Sequence, residues 1–462
     1  MDIITALTTE FNLQKWQIEN TVSLIDEGNT IPFIARYRKE AHGTLDDQVL
    51  REISERLEYL RNLDKRREEV RKSITDQEKM TDEIEAALEN AKTLAEIEDI
   101  YRPFKPKRKT RASVAREKGL EPLAQLIFEQ EVMNTPAIEA AADYIDEEKG
   151  VATAEEALQG AMDIIAEDIS DNADIRRRIR NLFTVVGIVS SKAADAEKDS
   201  VYAQYYDYSE PVNKIANHRI LALDRGEKEG FLKVDVALDI TKALGVITSV
   251  TLKNTGSLFT DTVRDAGADS YTRLIMPSIE REIRNDIFDS ASEGAIKLFA
   301  DNLSHLIMQS PIKGKTVLGY DPGYRTGCKL AVVDKTGKVL DTAVIYPTKP
   351  QERIEESGRV VTRLIRKYGV NVIAIGNGTA SKESEIFIAN LLKSIPEDVK
   401  YIMVSEAGAS VYSASKLGAE EFPDFDVTQR SAVSIARRLQ DPMAELVKID
   451  PKSIGVGQYQ HD

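Results

Sequence analysis

The sequence is short of the residues that staple, ligate or stack. It has one cysteine in 462 residues, Cys328, so no disulfide can form within the chain. Its four histidines, His42, His218, His305 and His461, are scattered. No His-Glu-x-x-His or paired Cys/His spacing exists, which excludes the common zinc motifs. Aromatic residues make up only 6%, with a single tryptophan. No apolar run approaches the roughly 18 residues of a membrane span. The opening MDIITALTTEFNLQKWQ lacks the basic-then-apolar order of a secretory signal. Together with the low cysteine content, these absences predict a soluble, cytoplasmic protein. GKT at 314–316 lacks the earlier glycine of a phosphate-binding loop, because Gln309 holds that place. No Gly-x-Ser-x-Gly nucleophile motif occurs. Net positive charge is also missing: 62 Lys and Arg stand against 77 Asp and Glu, a balance of −15. Phosphate binding needs positive potential, so any contact with nucleic acid must come from local basic patches.

What the chain does have is helical periodicity, then a change of period. Residues 1 to about 200 read as almost entirely helical. Thr44 reads as the N-cap of a long helix with Asp47 in its first turn. Leu45, Val49, Ile53, Leu57, Leu60, Leu63, Val70 and Ile74 mark its apolar face. Between 201 and 310 the pattern is mixed. FLKVDVALDI alternates like a strand, ALGVITSVTLK is a second short β candidate, and helical spacing returns from about 269 to 309. The arginines Arg176, Arg177, Arg178 and Arg180 read as a salt-bridged helix face.

From 315 to 450 the order is strand, strand, strand, helix, strand, helix, strand, helix. The strands are KTVLGYD, GCKLAVVD, VLDTAVIYP, VNVIAIG and KYIMVS; helices occupy about 351–368, a stretch from Ser381 and another from about Thr428. Three strands in a meander followed by βαβ units are the order of an RNase H-like fold. The fold class is therefore multidomain, mainly α over the first two-thirds, with an α/β RNase H-like domain after it.

RNase H-like enzymes hold Mg²⁺ between carboxylates at the ends of neighbouring strands, and Mg²⁺ takes hard oxygen ligands. Asp321 ends the first strand in GYDPGYRTG and is the leading candidate, with Gly319, Gly323 and Gly327 beside it. After VNVIAIG, where a second acid is wanted, stands the neutral Asn377. Glu406 follows the strand KYIMVS and offers another oxygen. On the last helix, where an acid would complete the set, TQRSAVSIARRLQDP places Arg430, Arg437 and Arg438, which could meet nucleic acid instead. The plainer readings are an Asp-Pro turn at Asp321, a turn residue at Asn377 and a solvated face for the arginines. A second cluster lies at 101–118, YRPFKPKRKTRASVAREK, with eight basic residues against one acidic. There Tyr101 and Phe104 could stack on bases while Lys105, Lys107, Arg108, Lys109 and Arg111 meet phosphates; the alternative is a solvated, proline-broken loop.

GYDPGYRTG, GNGTAS, VSEAGASVYSAS and QRSAVSIARRLQDPMAELVKIDPKSIGVGQYQHD resemble the YqgF-type, RuvC-like domain of Tex-type transcription accessory proteins. IPFIARYRKE, DIYRPFKPKRKTRASVAREKGLEPLA, HRILALDRGEKEG and PSIEREIRN resemble the same family in the same order. The resemblance implies a helix-turn-helix-like N-terminal region over 1–200, a central region over 201–310, a YqgF domain over 315–450, and a linker beginning at 451–462. It further implies helix-hairpin-helix and OB-fold RNA-binding modules beyond Asp462, so the chain is expected to be a fragment of a longer protein. RNA, DNA and RNA polymerase are the implied partners. In the YqgF and RuvC-like group the first-strand acid matches Asp321 and the late acid matches Glu406, whereas the middle and helix acids have no match. Three functions follow: a nucleic-acid-binding transcription scaffold with a degenerate RNase H-like domain; a Mg²⁺-dependent nuclease using Asp321 and Glu406; or a protein-interaction platform on RNA polymerase. The missing acids weigh against the second.

Overall fold

A computed structural model describes residues 2–106, 109–131 and 135–461. The chain divides into two compact units, one of residues 1–215 with 227–287, the other of 216–226 with 288–462. Among the described residues no helix is long and apolar enough to cross a membrane.

The first unit is a helical body with one small sheet. Its longest helix, Asp47–Asp76, buries Leu50, Ile53, Leu57, Leu60, Leu63, Val70 and Ile74 along one stripe. Each such side chain contributes about 1.5–3 kcal/mol by leaving water. The helix starts later than its sequence predicts. Thr44 has φ +60°, in the left-handed region, and the cap is Asp46, whose carboxylate accepts the Gln48 N–H at 2.8 Å. Strand β1 (Ile188–Ala193) falls inside the stretch read as almost entirely helical. It pairs antiparallel with β2 (Asp207–Pro211) and with β3 (Leu232–Ala237), giving the order β2-β1-β3. The predicted strand ALGVITSVTLK is instead the helix Ile240–Thr251. Its Val, Ile and Thr residues carry β preference, but Ala243, Ile247 and Thr251 are buried at four-residue spacing, and packing overrides propensity. The Asp239 carboxylate caps it by accepting the Thr241 N–H at 2.9 Å.

In the second unit a five-stranded sheet runs β6-β5-β4-β7-β8. The strands are β4 (Val317–Asp321), β5 (Cys328–Val333), β6 (Val339–Ile345), β7 (Val372–Gly376) and β8 (Lys400–Val404). β4, β5 and β6 form the antiparallel meander, and β7 and β8 add parallel to β4. The period-two alternation of β4 sorts its side chains. Leu318 and Tyr320 pack with Val361, Leu364 and Ile365 of the crossover helix Ile354–Tyr368 and with Ile388 of the crossover helix Ser381–Ser394. Val317 faces the other way, onto Ala432, Val433, Ile435 and Ala436 of the closing helix Val427–Gln440. A side chain at Gly319 would fall 2.1 Å from the Ala432 carbonyl oxygen, so glycine is what lets the closing helix lie on β4. Cys328 is a fully buried free thiol. The order, the mixed sheet and the helices on both faces are those of an RNase H-like α/β domain.

Candidate functional site

Parallel pairing brings the carboxyl ends of β4, β7 and β8 to one edge, where open α/β sheets collect functional groups. Asp321, Asn377 and Glu406 meet there. Asp321 and Glu406 line one cavity of about 200 Å³. Burial raises the Asp321 carboxyl above its ordinary range, partly offset by a hydrogen bond from Ser431 and by the charge of Lys329. Glu406 is raised by burial and then by the negative charge of Asp321, with the Gly378 N–H and Arg438 opposing. The charge of Asp321 acting on Glu406 puts the two carboxylates in electrostatic contact.

Asn377 does not face the cavity as a third ligand. Its side-chain oxygen accepts the backbone N–H of Glu406 at 3.1 Å, while the neighbouring Gly378 N–H donates to the Glu406 carboxylate. A Cβ at Gly378 would sit 1.4 Å from Glu406 Oε1, and one at Gly376 would sit 2.5 Å from Oε2. The Gly-Asn-Gly turn is therefore a socket that fixes Glu406. Asn377 is a positioning residue.

The helix arginines are likewise engaged internally. Arg438 is 3% exposed, and its Nη1 donates to the carbonyls of Ser405 at 2.9 Å and Ala407 at 2.7 Å, one on each side of Glu406. Burial pulls its guanidinium down to about 10. Arg430 donates to the carbonyls of Phe422 at 3.1 Å and Ser413 at 3.2 Å. Arg437 donates to the Gly337 carbonyl at 2.8 Å, pairs with Glu421 at 2.8 Å and covers the Phe422 ring. The sequence reading offered all three to nucleic acid. The structure revises this for Arg438 outright, since it does not reach the surface, and it gives Arg430 and Arg437 local duties. Arg438→Met is expected to cost about 3 kcal/mol in urea unfolding, because two part-buried carbonyls lose a donor that is itself buried. A loss under about 1 kcal/mol would mean that Arg438 does not hold the turn around Glu406 in place.

Sequence reasoning missed the hydroxyls. Ser410 and Ser413, on the short helix Ala409–Ala414, and Thr428 and Ser431, on the closing helix, complete the cavity wall. Each pair is spaced by three residues, which puts both hydroxyls on one helix face. That spacing was the available signal.

The chain matches three family models: the Tex-like protein N-terminal domain over residues 1–75, the Tex central region-like model over 133–299, and the Tex protein YqgF-like domain over 315–440. The chain belongs to the Tex family. Among its relatives, YdcI of Bacillus subtilis is 50% identical, over 99% of this chain and 64% of its own length. The transcriptional accessory protein Tex of Neisseria gonorrhoeae is 43% identical over 100% of this chain and 61% of its own length. The human S1 RNA-binding domain-containing protein 1 is 36% identical over 100% of this chain and 48% of its own length. The chain thus spans less than two thirds of each of these relatives.

The fold implies Mg²⁺, and the donor set can be tested against it. Among the described residues no three His, Cys, Asp or Glu side chains converge where a metal would sit. Asp321 and Glu406 are two hard donors, but Glu406 is committed to the Gly-Asn-Gly socket and the opposite wall is hydroxyl. Mg²⁺ wants near-octahedral oxygen ligation, usually anchored by carboxylates and substrate phosphates. The residues present do not fit a two-metal centre.

The 101–118 segment of this Tex-family chain also differs from expectation. Tyr101 and Phe104 pack against the hydrophobic core of the first unit, and the Tyr101 hydroxyl hydrogen-bonds the Ser73 hydroxyl at 2.9 Å. Both rings are turned inward, so neither is a base-stacking platform. Lys105 pairs with Glu98, Arg102 with Asp171 at 3.0 Å, and Arg116 with Glu121, Glu167 and Asp168. Arg102 and Arg116 thus spend their charge on the acidic helix Ala154–Asp171. Lys109 and Arg111 remain exposed. Lys107 and Arg108 lie outside the described residues.

Proposed function

We propose that this chain is the body of a transcription accessory protein that associates with nucleic acid and whose RNase H-like domain serves as a scaffold. The observation that carries this reading is the Glu406 socket. A turn that spends the Asn377 amide and the Gly378 N–H on Glu406 builds a rigid fold element where a nuclease places a metal-facing acid. Ser431 stands opposite Asp321 in place of a helix carboxylate. Support for the role comes from the relatives, one named a transcriptional accessory protein and another named for an S1 RNA-binding domain. Contact with RNA, with DNA and with RNA polymerase belongs to the same reading, as does a cytoplasmic location. Fold likeness alone assigns no reaction, because sites and not folds carry chemistry.

The test is a gel assay with end-labelled single-stranded RNA, single-stranded DNA and a branched DNA junction, each with Mg²⁺, Mn²⁺ or EDTA. The chain and its Asp321→Asn variant are expected to leave all three intact. Retardation is expected to weaken with salt, and to weaken further when Lys107, Arg108 and Lys109 are reversed in charge. Metal-dependent cleavage that disappears with Asp321→Asn would make the protein a nuclease. Intact nucleic acid with no retardation would favour the protein-interaction platform.

A further inference from the structure

A second cavity of this unit shares no lining residue with the one at Asp321. It is a groove of about 1240 Å³ between the two crossover helices, beyond the roughly 300–1,000 Å³ of small-molecule pockets. One face of each helix belongs to the core, leaving a second face for the groove. On Ile354–Tyr368 that face presents Arg359, Arg363, Arg366 and Lys367, at spacings of three and four residues and one step further. On Ser381–Ser394 it presents Ile386, Phe387 and Leu391. Ile354 and Ile386 are 58% and 54% exposed, although both are apolar.

The charge here opposes that of the molecule. The chain carries −15 overall, yet four cations line this groove against two carboxylates, Glu355 and Glu383. Arg359 meets Glu355 only at 3.6 Å, with both side chains largely exposed, so that pair is worth little. Arg366 pairs with Glu397 and Lys367 with Asp341 at the far end of the helix. An apolar floor beside a basic wall is the complement of an amphipathic helix with one acidic edge. The floor is mainly aliphatic, with Phe387 its one aromatic ring and that ring half-buried, so stacked bases find no platform.

We propose that the groove between the crossover helices docks an acidic amphipathic helix of a partner protein. Its Leu or Ile residues lie over Ile386, Phe387 and Leu391. Its carboxylates meet Arg359 and Arg363. This site is separate from the Asp321 cavity and does not depend on whether that cavity cuts nucleic acid.

The test uses fluorescence anisotropy on the whole chain. The probes are a labelled designed peptide of about 18 residues, with Leu at i, i+3, i+4 and i+7 and Glu along one edge, a scrambled peptide of equal composition, and an oligouridylate of similar length. The ordered peptide is expected to bind in the micromolar range. Arg359→Glu with Arg363→Glu should weaken it roughly tenfold or more, as should Ile386→Asp alone. The substituted side chains line an open groove, so circular dichroism and melting temperature are expected to stay unchanged. No binding of the ordered peptide, or equal binding of the scrambled one, overturns the proposal. So does loss of oligouridylate binding in these variants with the peptide unaffected. Self-association of the chain that Ile386→Asp abolishes would name a second copy as occupant, and would overturn it too.

Discussion

Asp99→Ala is expected to destabilise the first unit by about 3–5 kcal/mol, the largest single-residue effect outside its apolar core. Asp99, from the helix Leu94–Tyr101, accepts from Arg176 Nε at 2.7 Å and from Arg180 Nη2 at 2.7 Å. Side-chain exposure is 6% for Asp99, 3% for Arg176 and 13% for Arg180, so water cannot replace the lost acceptor. Glu282 pairs with Arg180 and approaches Arg176 at 4.0 Å, and Ser278 accepts from Arg176 at 3.0 Å. Removing Asp99 leaves Arg176 buried with one distant carboxylate. The double variant Asp99→Leu with Arg176→Met is expected to recover most of the loss, because a buried pair replaced as a unit sheds its desolvation cost. Chemical denaturation of the three proteins checks this. A loss below about 1 kcal/mol for the single variant would mean that Glu282 alone satisfies both arginines.

Asp321→Asn is expected to act in the opposite direction and to stabilise the second unit at neutral pH, on the order of 1 kcal/mol. The sign follows from proton linkage. Burial raises the folded-state pKa of Asp321, and burial together with Asp321 raises that of Glu406. Above the ordinary carboxylate range the unfolded chain has already released its proton while the folded chain still holds it. Stability therefore falls as pH rises through the interval between unfolded and folded values, and remains low above it. Asn at 321 removes that penalty and relieves Glu406. The gain should fade below roughly pH 4, where both carboxyls are protonated in either state. Glu406→Gln should do the same, and the two gains should fall short of additive, since their mutual repulsion is removed by either change. Thermal melts at neutral and acid pH decide it. An Asn variant less stable at neutral pH would make Asp321 a structural cap that accepts more hydrogen bonds than it loses by burial.

These two carboxylate sites also show what could be read in advance. The arginine cluster at 176–180 reads as a salt-bridged face, and Arg177 and Arg178 do bond Asp174 on the surface. That Arg176 and Arg180 turn inward to Asp99 could not be read, because the partner lies about 80 residues earlier in the chain. Asp321 and Glu406 were legible as strand-end acids, and Asn377 as a turn residue where an acid is wanted, but not that the turn is a socket for Glu406. In the 101–118 segment the aromatic and basic composition was plain, but composition has no direction. Tyr101 and Phe104 point into the core because the helix register ahead of them continues the apolar stripe of Ile97 and Ile100.

By itself the sequence determined the periods: 3.6 through the first body, two in the strands of the last domain, and the βββαβαβα order that permits one kind of sheet. It also determined the strand-end acids and the family resemblance, because these are local patterns or runs of identity. Only the tertiary structure decided that ALGVITSVTLK is helical, that Arg438 is buried, that Glu406 is held by a turn from a neighbouring strand, and that two crossover helices leave a basic, apolar groove. Each of those depends on which distant residues exclude water from a group. Burial is a property of the packed chain, and no local pattern fixes it.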